Sequence, residues 1–204
     1  MASICPETKT STGFPLIKMR LVELAHLKIK ESIRPGDLCI DATAGNGYDT
    51  LFLARQVSPF GKVYAVDIQK LSIEQTLKRL SLHGFDDILN TFHGSHTKIR
   101  NLLGESEHGE VSAIMFNLGY LPGGDHAITT TTDDTIFALN EAYSMLRNGG
   151  VITALCYRGH NEGAKETQKV LELCKEKEWN IEVVEGSSNP QSPILILIKK
   201  TRMD

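Results

Sequence analysis

Residues 38–42, Leu-Cys-Ile-Asp-Ala, form a short apolar run that leads through Thr43-Ala44 into Gly45-Asn46-Gly47, after which residues 48–56 resume an apolar spacing of helical period with Leu51, Leu53 and Ala54. This order of strand, glycine turn and helix constrains the chain more than any other feature. Repeated units of strand and helix imply a mostly parallel sheet, so a further strand is expected after this helix. Residues 62–68, with Val63, Tyr64, Ala65 and Val66, predict that strand, and residues 72–82, with Ile73, Leu77 and Leu80 on one face, a second helix.

The alternation continues along the chain. Strands are expected at 88–93, 111–117 and 151–157, with a loop around Ser95 and His96 after the first of them. A helix is expected at 133–146, with acids in its first turn and Gly149-Gly150 beyond its end as a left-handed cap, and a charged helix at 164–177. Residues 181–184 and 194–198 are two further strands joined by a turn rather than a helix, which makes them antiparallel. A helix at 16–33 precedes the first strand and ends at Arg34-Pro35-Gly36. The expectation is an α/β fold of Rossmann-like type: seven strands, mostly parallel, with helices on both faces and a C-terminal antiparallel hairpin. Ligands then belong at the C-terminal ends of the strands, in the loops after Ile40, Val66, Phe92, Phe116 and Leu155.

Composition excludes several alternatives. The 204 residues, 41% of them hydrophobic, suffice for one core, so residues 16–204 are read as a single domain behind a flexible lead at 1–15. That lead has no apolar stretch of the kind a secretion signal carries, and no run anywhere approaches the roughly 18 apolar residues of a membrane helix. Cys5, Cys39, Cys156 and Cys174 lie too far apart for a zinc or redox motif, and no metal is expected. Cys39 and Cys156 sit in apolar strands, as reduced cysteines do, which points to a reducing compartment. The cytoplasm is the default, with plastid or mitochondrion as the alternative where a transit peptide has been removed. A net charge of −3 argues against a dedicated nucleic-acid binder, yet residues 1–36 carry six Lys or Arg against three Glu. Lys18, Arg20, Lys28 and Lys30 of that segment form a candidate RNA-facing surface.

The segment 41–50, Asp-Ala-Thr-Ala-Gly-Asn-Gly-Tyr-Asp-Thr, is the candidate cofactor site. Gly45 and Gly47 permit a sharp turn and close approach to a ligand, and the following helix directs its N–H groups there. Asp67, twenty residues beyond Gly47, closes the second strand, where a carboxylate can accept two ribose hydroxyls. A dinucleotide turn wants a small residue where Thr50 stands, and Asp49 beside it would repel a pyrophosphate. S-adenosyl-L-methionine carries an ammonium and a sulfonium instead of phosphates, and an acid near the turn attracts both. The expected cofactor contacts are Asp41, Gly45, Asn46, Gly47, Asp49, Thr50, Asp67, Gln69, Ser95, His96 and Asn117. Plainer readings stand beside them: Asp41 as a turn cap, Asp67 as a solvated strand end, Gln69 as a linker, His96 as a loop histidine.

Five segments together, 41–50, Val-Asp-Ile-Gln at 66–69, Gly-Ser-His at 94–96, Phe-Asn-Leu-Gly-Tyr-Leu-Pro-Gly-Gly-Asp-His-Ala-Ile-Thr-Thr at 116–130 and Tyr-Arg-Gly-His-Asn-Glu-Gly at 157–163, resemble the YtqB/MnmM family. These are S-adenosylmethionine-dependent tRNA wobble-uridine methyltransferases that were earlier labelled rRNA methylases. The resemblance spans residues 18–200 and implies a Class I methyltransferase. Its reaction would place a methyl group on the aminomethyl nitrogen of 5-aminomethyl-(2-thio)uridine in the anticodon stem-loop of tRNA. It also implies a homodimer. Thr43 stands where the usual turn has its first glycine, as in the family, while Tyr48, Arg158 and Asn161-Glu162 look like local variation.

Asn117-Leu118-Gly119-Tyr120 is similar to the Asn-Pro-Pro-Tyr signature of amine methyltransferases, in which an Asn carbonyl orients the target amine beside an aromatic ring. Catalysis is then mostly alignment. Asn117 and Tyr120 are the expected catalytic residues, with Asp125, His126 or His160 as a base or relay for the amine proton. A strand-end cap at Asn117 and a packed ring at Tyr120 are the plainer readings. Gly123-Gly124-Asp125 and Thr129–Thr132 predict a polar lid, and the loop 187–193 a flap over the same mouth. A small-molecule amine methyltransferase is the runner-up, and a non-catalytic RNA-binding subunit the remaining alternative.

Overall fold

The structure is a computed structural model that describes residues 19–119, 130–159 and 161–201. The elements, in chain order, are α1 (Leu21–Ser32), β1 (Leu38–Asp41), α2 (Tyr48–Val57), β2 (Lys62–Asp67), α3 (Lys70–Ser81), β3 (Leu89–His93), β4 (Val111–Leu118), α4 (Thr132–Met145), β5 (Leu146–Cys156), α5 (Asn161–Glu176), β6 (Asn180–Glu185) and β7 (Ile194–Lys199). The seven strands form one sheet in the order β3-β2-β1-β4-β5-β7-β6. All neighbours are parallel except around β7, which runs antiparallel to both β5 and β6. The reversal matters for the site, because it brings Ile194 at the start of β7 opposite Cys156 at the end of β5.

Both faces of the sheet are buried, as continuous apolar strands require. On one face Phe116, Ile114 and Ile152 pack with Ala138, Leu139 and Ala142 of α4 and Val170 and Leu173 of α5. On the other, Cys39, Ala113 and Leu195 pack with Ala25 and Ile29 of α1, Leu53 and Ala54 of α2 and Leu80 of α3. Truncating a ring such as Phe116, 1% exposed, would cost about 3–5 kcal/mol. β6 is the exposed edge, and its Glu182 accepts a hydrogen bond from Lys28 of α1 at 3.0 Å.

The strand order reverses between β1 and β4, which opens a crevice at their carboxyl ends. Two bonds fix its floor. The Ala42 N–H donates to the Met115 carbonyl at 2.9 Å, and the Asn117 N–H donates to the Thr43 hydroxyl at 2.7 Å.

The expected cap at Gly149-Gly150 is not there. α4 stops at Met145, Leu146 is extended, and β5 begins at once. The ammonium of Lys200 satisfies the helix's last carbonyls instead, donating to Ser144 at 3.2 Å and Leu146 at 2.7 Å. Gly149, at φ +76°, serves a bulge in β5, where its N–H reaches the Lys200 carbonyl. The lead at 1–15 and the segment 120–129 lie outside the described residues.

Candidate active site

A cavity of about 730 Å³ lies along the carboxyl ends of the strands. That is in the upper half of the range of small-molecule sites. Of the residues expected to touch a cofactor, Gly45, Asn46, Asp49, Asp67, Gln69, Ser95, His96 and Asn117 line it. Asp41, Gly47 and Thr50 stand behind its wall. Asp41 is fully buried and accepts hydrogen bonds from the Thr50 hydroxyl at 2.6 Å and the Thr43 N–H at 3.2 Å, so it clamps the turn from below. Burial, and then the neighbouring Asp49 carboxylate, raise its carboxyl far above the usual carboxylate range. Gly47 is needed for packing. It adopts φ +75° at the start of α2, and a Cβ there would come within 2.8 Å of the Thr76 backbone in α3.

Asp67 ends β2 with both carboxylate oxygens engaged, one by the Gly45 N–H and one by the Gln69 N–H, each at 2.8 Å. Each oxygen keeps a second lone pair for a hydroxyl donor. His96 is buried, meets Phe116 edge-on at 6.1 Å, and its Nε2 has no hydrogen-bond partner among the described residues. Burial holds its pKa below the ordinary value, so the ring is neutral and can hydrogen-bond a ligand. Ser95 caps the short helix that follows, its hydroxyl oxygen accepting from the Thr97 N–H at 3.2 Å.

Asp49, in the first turn of α2, joins two other elements of the fold. One oxygen accepts from the Asn117 side-chain amide, Nδ2, at 2.7 Å, and the other pairs with His26 Nε2 at 2.6 Å. The Asn117 amide is thereby turned with its nitrogen toward Asp49, and its carbonyl oxygen has no donor among the described residues. His26 comes from α1 and stacks on Phe52 at 3.9 Å. No motif announces it, because 23 residues of chain separate it from Asp49 and only packing of α1 on α2 unites them.

Asp134 in the first turn of α4, Tyr48 and Arg158 also line the cavity without having been expected there. Tyr48 lines the cavity with the guanidinium of Arg79 at 3.7 Å from its ring centre, while Arg79 Nε donates to the Asn46 carbonyl. Arg158, just past β5, also lines the cavity. Its position at the carboxyl end of a strand was the available signal. Gln191 and Pro193, from the loop expected to act as a flap, line the same mouth, as do Thr130 and Thr131. Tyr120, Asp125, His126 and His160 lie outside the described residues. Of the expected basic surface, Arg20 pairs with Glu23 and Lys28 with Glu182, and Lys18 is outside the description.

The lining carries the carboxylates Asp49 and Asp67 at the glycine turn and Asp134 in the first turn of α4, with the His96 Nε2 that has no partner among the described residues. That donor set fits an adenosine bearing a positive charge and not a pyrophosphate. Among the described residues, no group of three or more His, Cys, Asp or Glu is arranged to hold a metal ion, and no helix is long and apolar enough to cross a membrane.

Comparison with known proteins agrees with this chemistry. The family described as "Putative rRNA methylase" matches residues 63–200. An Arabidopsis thaliana protein named tRNA (mnm(5)s(2)U34)-methyltransferase, chloroplastic, is 34% identical over 200 residues, covering 92% of this chain and 72% of its own. A Clostridium thermocellum structure described as a "putative rRNA-methylase" superposes with a TM-score of 0.83 at 37% identity over 89% of this chain and 98% of that one. A Streptococcus mutans structure described as "a putative methyltransferase", in complex with S-adenosylhomocysteine, gives 0.77 at 29% identity, with coverage of 89% and 98%. An α/β sheet with β7 reversed, acids where a cationic nucleoside would lie, and neighbours of this kind define a Class I S-adenosylmethionine-dependent methyltransferase. Within that class, the chain belongs to the family described as "Putative rRNA methylase".

Proposed function

We propose that the chain transfers a methyl group to the aminomethyl nitrogen of 5-aminomethyl-(2-thio)uridine at the wobble position of tRNA. The observation that carries this reading is Asn117. Its amide is held by Asp49 so that the carbonyl oxygen remains for a donor, which suits an amine with N–H groups to orient. The printed name of the Arabidopsis relative supports the same substrate.

When bound, S-adenosyl-L-methionine supplies an electrophilic methyl group on its sulfonium. Asp67 would hold the ribose hydroxyls, His96 and Ser95 the adenine edge, and Gly45, Asn46 and Asp49 the amino-acid end. Asn117 accepts a hydrogen bond from the amine and sets the direction of its lone pair, which is the work such a reaction needs. Tyr120, Asp125 and His160 remain candidates for the ring beside the base and for the proton's acceptor. A homodimer is the assembly we propose with it, and a reducing compartment, cytoplasm or plastid, is its setting. The chloroplast in the relative's name supports the plastid alternative.

The test is mass spectrometry of nucleosides from a tRNA pool incubated with the protein and labelled S-adenosylmethionine. We expect label in the wobble nucleoside alone. Label found only on small-molecule amines would overturn the reading in favour of the runner-up.

A further inference from the structure

We propose that Arg158 binds a phosphodiester of the acceptor RNA, next to the nucleotide whose base enters the cavity. The inference rests on the tRNA reading above and names a contact within it.

The strand order divides the cavity in two. The glycine turn after β1, Asp67 at the end of β2 and His96 beyond β3 all lie on one side of β4, and they account for the polar contacts a cofactor needs. On the other side the lining comes from the end of β5 and the loop before β7: Tyr157, Arg158, Gly159, Gln191 and Pro193. Asn117 stands on β4, between the halves. The acceptor therefore enters from the β5 side.

Charge is divided the same way. Among the described lining residues Asp49, Asp67 and Asp134 are the acids, and Arg158 is the one permanent cation. An acceptor that were a simple amine would gain nothing from a guanidinium, and its cationic form would be repelled by one. A nucleic acid brings phosphates, for which the planar guanidinium fork is suited.

The side chain is also held ready. Its Nε donates to the Ser192 carbonyl at 2.7 Å, which fixes the plane, and the side chain is 17% exposed. Its Nη2 meets Glu185 at 3.3 Å, a carboxylate 58% exposed. A rim pair of this kind contributes little, and a phosphate can displace it at small cost.

The experiment compares wild type, Arg158→Gln, Arg158→Lys and Glu185→Gln on an anticodon stem-loop carrying 5-aminomethyluridine. Steady-state kinetics are run at several salt concentrations, and S-adenosylmethionine affinity is measured by calorimetry. For Arg158→Gln we expect KM for the RNA to rise about tenfold, kcat to change far less, and the slope of log affinity against log salt to become shallower by about 0.7–0.9 for one lost phosphate contact. Arg158→Lys should restore the salt slope while recovering KM only in part, and Glu185→Gln should leave RNA binding equal or tighter.

The inference is overturned if Arg158→Gln changes neither KM nor the slope while wild type methylates the RNA, an outcome that leaves the tRNA reading standing. It is equally overturned if Glu185→Gln weakens RNA as Arg158→Gln does, which would make Arg158 a staple for the loop before β7. A wild-type protein that binds S-adenosylmethionine but leaves the RNA unmethylated removes both the reading and the contact.

Discussion

Replacing Asn117 by alanine removes one amide from the cavity and tests the arrangement around it. The amide makes two contacts of different kinds: its nitrogen donates to the Asp49 carboxylate at 2.7 Å, and its carbonyl is the proposed acceptor for the target amine. The first contact is present before substrate arrives and sets the orientation of the second. As the amine nitrogen gains positive charge, the carbonyl contact strengthens, so its loss falls on the rate of transfer more than on binding. Losing one preorganised polar contact of this sort costs about 2–4 kcal/mol, a fall of about 30-fold to 900-fold in the single-turnover rate at saturating cofactor and RNA. Asp49 keeps its bond to His26 and gains access to cavity water, so cofactor affinity should change little. A double-mutant cycle extends the test. If His26 acts by holding Asp49, then His26→Ala should slow transfer about tenfold alone and have no further effect in the Asn117→Ala background. Asn117→Ala transferring at the wild-type rate would refute the alignment argument. Equal His26→Ala losses in both backgrounds would refute the link through Asp49.

Three further outcomes are expected. Asp67→Ala removes the acceptor of two backbone N–H groups and of the ribose hydroxyls, and a folded variant should bind S-adenosylmethionine about tenfold to a hundredfold more weakly by calorimetry. The Asp41 carboxyl is pushed up to about 7 by burial and by Asp49, so the folded state holds this proton more tightly than the unfolded chain. The stability it contributes is full below the unfolded value near 4 and is lost as pH rises through about 7. Melting temperatures from pH 5 to 8 should therefore fall less steeply for Asp41→Asn than for wild type, and an unchanged profile would show that Asp41 is ionised throughout. Gly47→Ala places a Cβ 2.8 Å from Thr76 in a left-handed conformation. We expect it to destabilise by at least the roughly 1–2 kcal/mol of that conformation, and a melting temperature equal to wild type would show that α3 can yield.

The sheet was legible in the sequence because its parallel strands are buried on both faces and read as unbroken apolar runs bounded by glycine turns. The glycine turn and Asp67 were legible for a related reason: the C-terminal end of a strand is where such a sheet keeps its ligands, whatever the side chains elsewhere. Residues 38–47 and 66–69 thus pointed by local pattern alone to residues that line the cavity, among them Gly45, Asn46, Asp67 and Gln69. Local pattern misplaced Gly149-Gly150, where a glycine pair after a helix looks the same whether it caps the helix or makes a bulge. Lys200, fifty-four residues from the Leu146 carbonyl it satisfies, decided the matter.

What only the tertiary structure decided was which of the polar residues act together. Asp41 and Asp49 both stand at the glycine turn, yet one faces Thr50 beneath the wall and the other lines the cavity between His26 and Asn117. His26 has no signal of its own, since its role exists only because α1 packs against α2. Arg158 lines the cavity just past β5, and β7, inserted reversed between β5 and β6, brings Ser192 to its guanidinium. Periodicity and turn chemistry act over a few residues and so are written in the sequence. Contacts across 23, 34 and 68 residues of chain are made by packing, and the direction of each side chain is settled there.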